Sequence, residues 1–197
     1  MKNICLMVIW LFSVTVSAQS SSAQRIRVSQ SDIEKKAKMK VEAFQENCRD
    51  IGNVGISYEE KTAPGGMIEM ALSEFMPDAN IRITGLDGVS YSDKPVKKYL
   101  YRLAGLARAH YREIWISSFD CAVAEEFTKE ANSDWYVGYV KIIQRFTADT
   151  KEGYRVSDMV ERHVKVYARK KELQTTLGKT RVVWDVKLGD ISARNID

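Results

Sequence analysis

Few side chains in this chain are placed to do chemistry: the carboxylate of Asp120, the guanidinium of Arg162, the amide of Gln144, His110, His163, and the thiols of Cys48 and Cys121. By residue type His163 is the natural general base. Asp120 would serve as one if burial raised its pKa, and Arg162 would clamp an anion. Which of them meet depends on the strands that carry them, because successive side chains of a strand face opposite sides. Over about 157–173, Val160, Val164, Val166 and Ala168 share a face with Arg162, while Glu161, His163, Lys165 and Arg169 form a solvated pattern on the other. Arg162 is therefore expected inside and His163 outside. His110 reads as a boundary residue between a helix and a strand.

The same alternation over about 134–148 groups Gly138, Val140, Ile142, Gln144 and Phe146 against Lys141, Arg145, Trp135 and Tyr139. Over about 180–194 it groups Val182, Trp184, Val186 and Leu188, with Asp185 opposite. The segment 111–128 is mixed: Ile114, Ile116, Ala122 and Ala124 share a face with Asp120, but Trp115, Phe119 and Val123 form a rival set. A β-bulge there would exchange the two sets. The inward polar set is then Asp120, Gln144 and Arg162, with Trp184 and Tyr99 as aromatic walls. Buried Asp and Arg left unpaired would cost several kcal/mol, so each must pair or meet a ligand. The readings are a site for a small polar or anionic ligand held by Arg162, a structural ion pair, or a break in the alternation that puts Arg162 at the surface.

Other chemistries lack their residues. There is no Cys-x-x-Cys pair and no histidine cluster, so no metal site is expected. Gly65-Gly66 is followed by no Gly-Lys-Ser/Thr, so it is no phosphate loop, and no cofactor is expected. Cys48 and Cys121 are read as two buried free thiols.

The elements that must position these residues begin with a helix. Ser31-x-x-Glu34 reads as a capping box. Ile33, Ala37, Val41, Phe44, Cys48 and Ile51 follow at steps of three and four as one apolar stripe, and Gly52 is expected to end the helix in a left-handed conformation. A second helix is expected from Thr62, with Pro64 in its first turn, Met67, Met70, Ala71 and Phe75 inward, and Pro77 closing it. Asn80–Thr84 reads as a strand and Asp87-Gly88 as a turn. Ser92 is expected to cap a third helix with Val96, Tyr99, Leu100, Leu103 and Leu106 on its inner face. The four β segments that follow, 111–128, 134–148, 157–173 and 180–194, are separated by breaks too short for a crossover helix, so they should form an antiparallel meander.

The N-terminus reads as an export signal. A basic Met1-Lys2-Asn3 precedes the apolar run Ile4–Phe12, and Val16-Ser17-Ala18 before Gln19 suits a signal peptidase. The run is shorter than the roughly 20 residues that span a bilayer, so no stable membrane anchor is expected. The expected organisation is a signal peptide at 1–18, a Ser/Gln-rich leader at 19–30 and one domain at 31–197. Loss of Lys2 takes the net charge from +4 to +3, too little to argue for nucleic acid.

Ser73-Glu74-Phe75-Met76-Pro77-Asp78-Ala79-Asn80-Ile81 resembles the helix end, "Phe-x-Pro-Asp-Ala" and first strand of the nuclear transport factor 2-like superfamily, which includes ketosteroid isomerases and SnoaL-like cyclases. The order of helices, short strand, helix and meander is similar over about 31–194. The resemblance implies an α+β fold, three helices packed on a curved antiparallel sheet that forms a cone around a pocket. It also implies dimerisation through the outer sheet face, where Trp115, Trp135, Tyr139 and Tyr167 are expected. No catalytic residue of the family falls on a matching position here. The leading expectation is an exported, non-catalytic domain that binds a small polar or anionic ligand or another protein, with Arg162, Gln144, Asp120, Trp184 and Tyr99 at the site. The alternative is a small lyase or isomerase with Asp120 as base.

Overall fold

The computed structural model describes residues 29–84, 90–175 and 178–196. The export signal, most of the leader and the Asp87-Gly88 turn lie outside them. The described chain runs α1 (Gln30–Gly52), α2 (Tyr58–Thr62), α3 (Met67–Leu72), β1 (Asn80–Thr84), β2 (Tyr91–Pro95), α4 (Val96–Ala109), β3 (Tyr111–Lys129), β4 (Tyr136–Thr150), β5 (Arg155–Gln174) and β6 (Thr180–Asn195).

Helix α1 buries the expected stripe, with Ile33, Ala37, Val41, Phe44, Cys48 and Ile51 all 2% exposed or less. Its capping box is two residues earlier than expected: Ser29 accepts from the Asp32 N–H, and Asp32 accepts from the Ser29 N–H. The helix thus takes in Gln30, the last residue assigned to the leader. Gly52 is not a left-handed cap. It is buried between Ile114, Ile116 and Leu103, where an added Cβ would lie 3.4 Å from both isoleucine side chains. The terminus is capped instead by Lys61, a buried side chain of α2 whose Nζ donates to the Asn53 carbonyl at 2.5 Å. That contact sets a cation against the negative end of the helix, while burial pulls the Lys61 pKa down.

Where one second helix was expected there are two short ones, with Pro64 and Gly65 between them. Ile68 and Ala71 are buried and Phe75 nearly so, whereas Met70 is 57% exposed. The Phe75–Ala79 segment then anchors the helical layer to the sheet. Met76 N–H donates to the Leu188 carbonyl at 2.7 Å, and Leu188 N–H to the Glu74 carbonyl at 2.8 Å. Asp78 turns the chain with φ at 61°, and Ile81 pairs in parallel with Ile191 of β6. Ser92 does not cap a helix; it lies in β2, which pairs antiparallel with β1, and α4 begins at Val96 after Pro95.

The six strands form one sheet in the order β2-β1-β6-β5-β4-β3, antiparallel except where β1 meets β6. The meander β3–β6 is as expected. The sheet is curved and does not close, with β2 and β3 at its edges. Its inner face, with Val140, Ile142, Val164, Val166 and Leu188 at 1% exposure or less, packs on α1 and α4. This α+β arrangement is the one implied by the resemblance. No helix among the described residues is long and apolar enough to cross a membrane.

β3 carries the main irregularity. Phe119 pairs with Ile143 and Ala122 with Lys141, so two residues, Asp120 and Cys121, oppose the single Ile142. Asp120 takes φ at 60°, a conformation Asp tolerates better than most residues. Beyond it the faces exchange: Ile114 and Ile116 point inward before the bulge, and Cys121, Val123 and Phe127 after it, with Ala122 and Ala124 exposed.

Phe44 packs edge to face on Phe75, ring centroids 5.0 Å apart, at the joint between α1 and the anchoring segment. Phe44→Ala is expected to lower the unfolding free energy by about 3–5 kcal/mol, measured by urea denaturation. A loss under 1 kcal/mol would show that this joint does not organise the core.

Candidate functional site

A half-open cavity of about 990 Å³ lies between α4 and the inner face of the sheet. α4 supplies Tyr99, Leu103 and Leu106, β1 supplies Thr84, and the strands supply Ile116, Phe146, Gln144 and Arg162. α1 adds no residue to the wall. Most of the lining is apolar. Arg102, Glu152, Arg155 and His110 are exposed at the rim, and Asp158 is half-buried.

The polar group at the buried end is Arg162, only 7% exposed. Strand pairing sets Arg162 opposite Ile142, which makes Gln144 its diagonal neighbour on the same face, within reach of long side chains. Arg162 Nε donates to Gln144 Oε1 at 2.6 Å, and Gln144 Nε2 donates to Gln45 Oε1 of α1 at 2.6 Å. Arg162 Nη1 donates to the Arg82 carbonyl of β1 at 3.2 Å. Among the described residues no carboxylate lies within ion-pair distance of Arg162. A buried cation held only by neutral acceptors retains a desolvation cost of several kcal/mol. Gln45 Nε2 and Thr84 Oγ1 are also buried without a hydrogen-bond partner among the described residues, and Thr84 lines the cavity.

Tyr99 and Cys48 sit beside this group. Burial pushes the Cys48 thiol up to about 12, opposed in part by the charge of Arg162. Burial also raises the Tyr99 phenol, with Cys48 adding to the effect. Both are neutral at physiological pH, so Cys48 is a poor nucleophile. Cys121, half-buried against α1, is raised to about 11 by burial. Both cysteines are free, but only Cys48 is fully buried.

Of the five expected site residues, three come together: Arg162, Gln144 and Tyr99. Asp120 does not join them. The bulge gives the inward position to Cys121 and leaves Asp120 exposed on the edge strand, so Asp120 is neither a pocket base nor an ion-pair partner of Arg162. Trp184 faces inward but elsewhere. It pairs with Lys170 while Arg162 pairs with Ala193, nine residues further along β6, or about 30 Å at a strand's rise. There it packs edge to face on Tyr136, with centroids 5.4 Å apart. Gln45 and Thr84 were missed. For Gln45 a signal existed: it lies four residues after Val41 and three before Cys48, on the buried flank of the α1 stripe.

The outer face is polar. His163 lies there as expected, its Nε2 3.0 Å from Glu161 Oε1. Glu161 also accepts from Arg194 at 2.9 Å, and the His163 contact, ahead of Arg194 and Lys141, holds its carboxyl low. The outer aromatics carry cations: Arg155 lies 5.3 Å from the Trp115 ring and Arg169 4.5 Å from Trp135. Among the described residues no three His, Cys, Asp or Glu side chains are grouped to hold a metal ion.

With iodoacetamide at pH 8, peptide mapping is expected to find Cys48 unmodified in the folded protein and both cysteines alkylated in denaturant. Rapid labelling of Cys48 in the fold would contradict its burial, and a Cys48–Cys121 cross-link would contradict the free thiols.

No protein-family model matches the chain, and no curated protein does. Solved structures do. A provisionally named scytalone dehydratase from Novosphingobium aromaticivorans is similar at 7% identity over 85% of this chain and 87% of that one, with a TM-score of 0.47. The beta subunit of a provisionally named aromatic-ring-hydroxylating dioxygenase from the same organism is similar at 11% identity over 83% and 91%, with a TM-score of 0.42. A nuclear transport factor 2-like protein of unknown function from Exiguobacterium is similar at 9% identity over 78% and 98%, with a TM-score of 0.36. At such identities and TM-scores, none of them carries a substrate or a site residue to this chain.

Proposed function

We propose that this protein is an exported, non-catalytic binding domain that holds a small ligand in the cavity beneath α4. One observation carries the reading: Arg162 is a buried cation with no carboxylate partner among the described residues, set at the inner end of an apolar cavity of about 990 Å³. That volume is in the range of small-molecule sites, and such sites commonly combine apolar walls with a few converging polar groups. A bound ligand would supply the acceptor that the described residues do not.

The buried end favours binding over turnover. A general base must come within about 3 Å of the proton it removes. The groups gathered there are a guanidinium, two amides, a neutral phenol and a neutral thiol. Asp120, the base of the lyase or isomerase alternative, is on the outside of the sheet. Glu152, Asp158 and His110 stand at the rim, away from Arg162's buried end. Export rests on the N-terminal residues alone: a basic start, an apolar run and Val16-Ser17-Ala18.

Thermal denaturation with a panel of small organic anions is the test. A ligand at a hundredfold its Kd stabilises by about 2.7 kcal/mol, a rise in Tm of roughly 5–10 °C. Leu106→Trp, which fills the cavity from α4, should remove the rise. Saturable turnover of an enolisable ketone, lost in Arg162→Gln, would overturn the non-catalytic reading. Protein recovered from a secreting host should begin at Gln19; an intact Met1 would overturn export.

A further inference from the structure

We infer that the ligand is a monocarboxylate with an apolar body, its carboxylate seated between Arg162 and the Thr84 hydroxyl. The inference rests on the cavity being a ligand site and names the chemistry that site selects.

The direction of the hydrogen-bond chain carries the argument. Arg162 Nε can only donate, so Gln144 must turn Oε1 toward it. The Gln144 amide nitrogen then faces α1 and donates to Gln45 Oε1. Gln45 is in turn left with its own nitrogen outward and unpartnered. One bond therefore fixes both amide orientations, and both ends of the chain are donors. At the cavity end, one of the five guanidinium N–H groups is given to Gln144 and one to the Arg82 carbonyl. The other three have no acceptor among the described residues. Thr84 adds a buried, unpartnered hydroxyl on the cavity wall.

Such a site discriminates by both charge and hydrogen-bond sense. An alcohol or amide brings a donor of its own into a region already short of acceptors. An ionised carboxylate brings acceptors only, and its planar pair of oxygens fits the guanidinium fork. It also carries one negative charge against the one buried positive charge of the lining, Arg162; the other two guanidiniums, Arg102 and Arg155, are exposed at the rim. Beyond Arg162 the wall includes Leu103, Leu106, Ile116 and Phe146, an apolar stretch that receives a hydrocarbon or aryl body.

Isothermal titration of the protein with 4-phenylbutanoate, 4-phenylbutan-1-ol and 4-phenylbutyl phosphate tests this. The acid should bind about tenfold to a hundredfold more tightly than the alcohol, the loss expected for a charge-assisted hydrogen bond, and more tightly than the phosphate. Arg162→Gln should remove the preference for the acid, bringing its affinity down to that of the alcohol in the same variant. Thr84→Val, at a half-buried site, should weaken the acid severalfold and spare the alcohol. Equal binding of acid and alcohol by the unmodified protein would overturn the carboxylate class while leaving a ligand cavity in place, whatever the stability of the variants. Tighter binding of the phosphate would overturn it in favour of a dianion. If none of the three binds, the class is overturned. If the broader anion panel also raises no Tm, the cavity reading fails with it.

Discussion

The inner face of the curved sheet is apolar along most of its length, and water must be kept from it. Helix α1 alone does not reach far enough. Its stripe from Ile33 to Ile51 covers β3 and β6 and the middle of β4 and β5. The end of the sheet near the β4–β5 turn is left to α4, which stands off from it. The cavity is the space between a sheet that continues and a helix that does not follow its curve. This explains why α4 lines the cavity and α1 contributes nothing to its wall. It also explains why the segment from Phe75 to Ile81 is so heavily bonded to β6, since that joint fixes how far the helical layer lies above the sheet.

Arg162 belongs to this geometry. Through Gln144 and Gln45 it joins β5 and β4 to α1, and through the Arg82 carbonyl it reaches β1. A cation in this place therefore orients four elements and still has donors to offer. The division is by N–H group: Nε and one Nη1 N–H serve the fold, and three N–H groups have no acceptor among the described residues.

Much of this could be read from residue order. The α1 stripe, the β1 strand, the antiparallel meander and the inward phase of Gln144 and Arg162 follow from periodicities of 3.6 and 2, and the structure has them. The losses come where periodicity stops. Asp120 was assigned by counting alternation through a bulge, and one extra residue reverses every face beyond it. Trp184 has the right face, but alternation gives a side and not a position along the strand; the distance to Arg162 depends on inter-strand register. Gln45 was overlooked because amides on an apolar flank look like the edge of a stripe. The Ser29–Asp32 box was missed because Ser31 and Glu34 offer the same spacing two residues later. β2 could not be seen at all, because Tyr91–Pro95 is polar and is itself an edge, paired only with β1.

β3 forms one open edge of the sheet for 19 residues, a length at which an unpaired ladder can recruit another chain and seed cross-β growth. Four register breaks divide it. The longest regular run, Glu113–Phe119, is seven residues of mostly apolar and β-branched character, with Trp115 and Phe119 over 40% exposed. Arg112 and Glu113 stand at one end of that run. At the other stands Asp120, charged and turned out of the strand by its positive φ. Charged residues flanking such a segment act as gatekeepers against aggregation. The carboxylate that has no place in the pocket is one of the charges that bracket this edge's longest regular run.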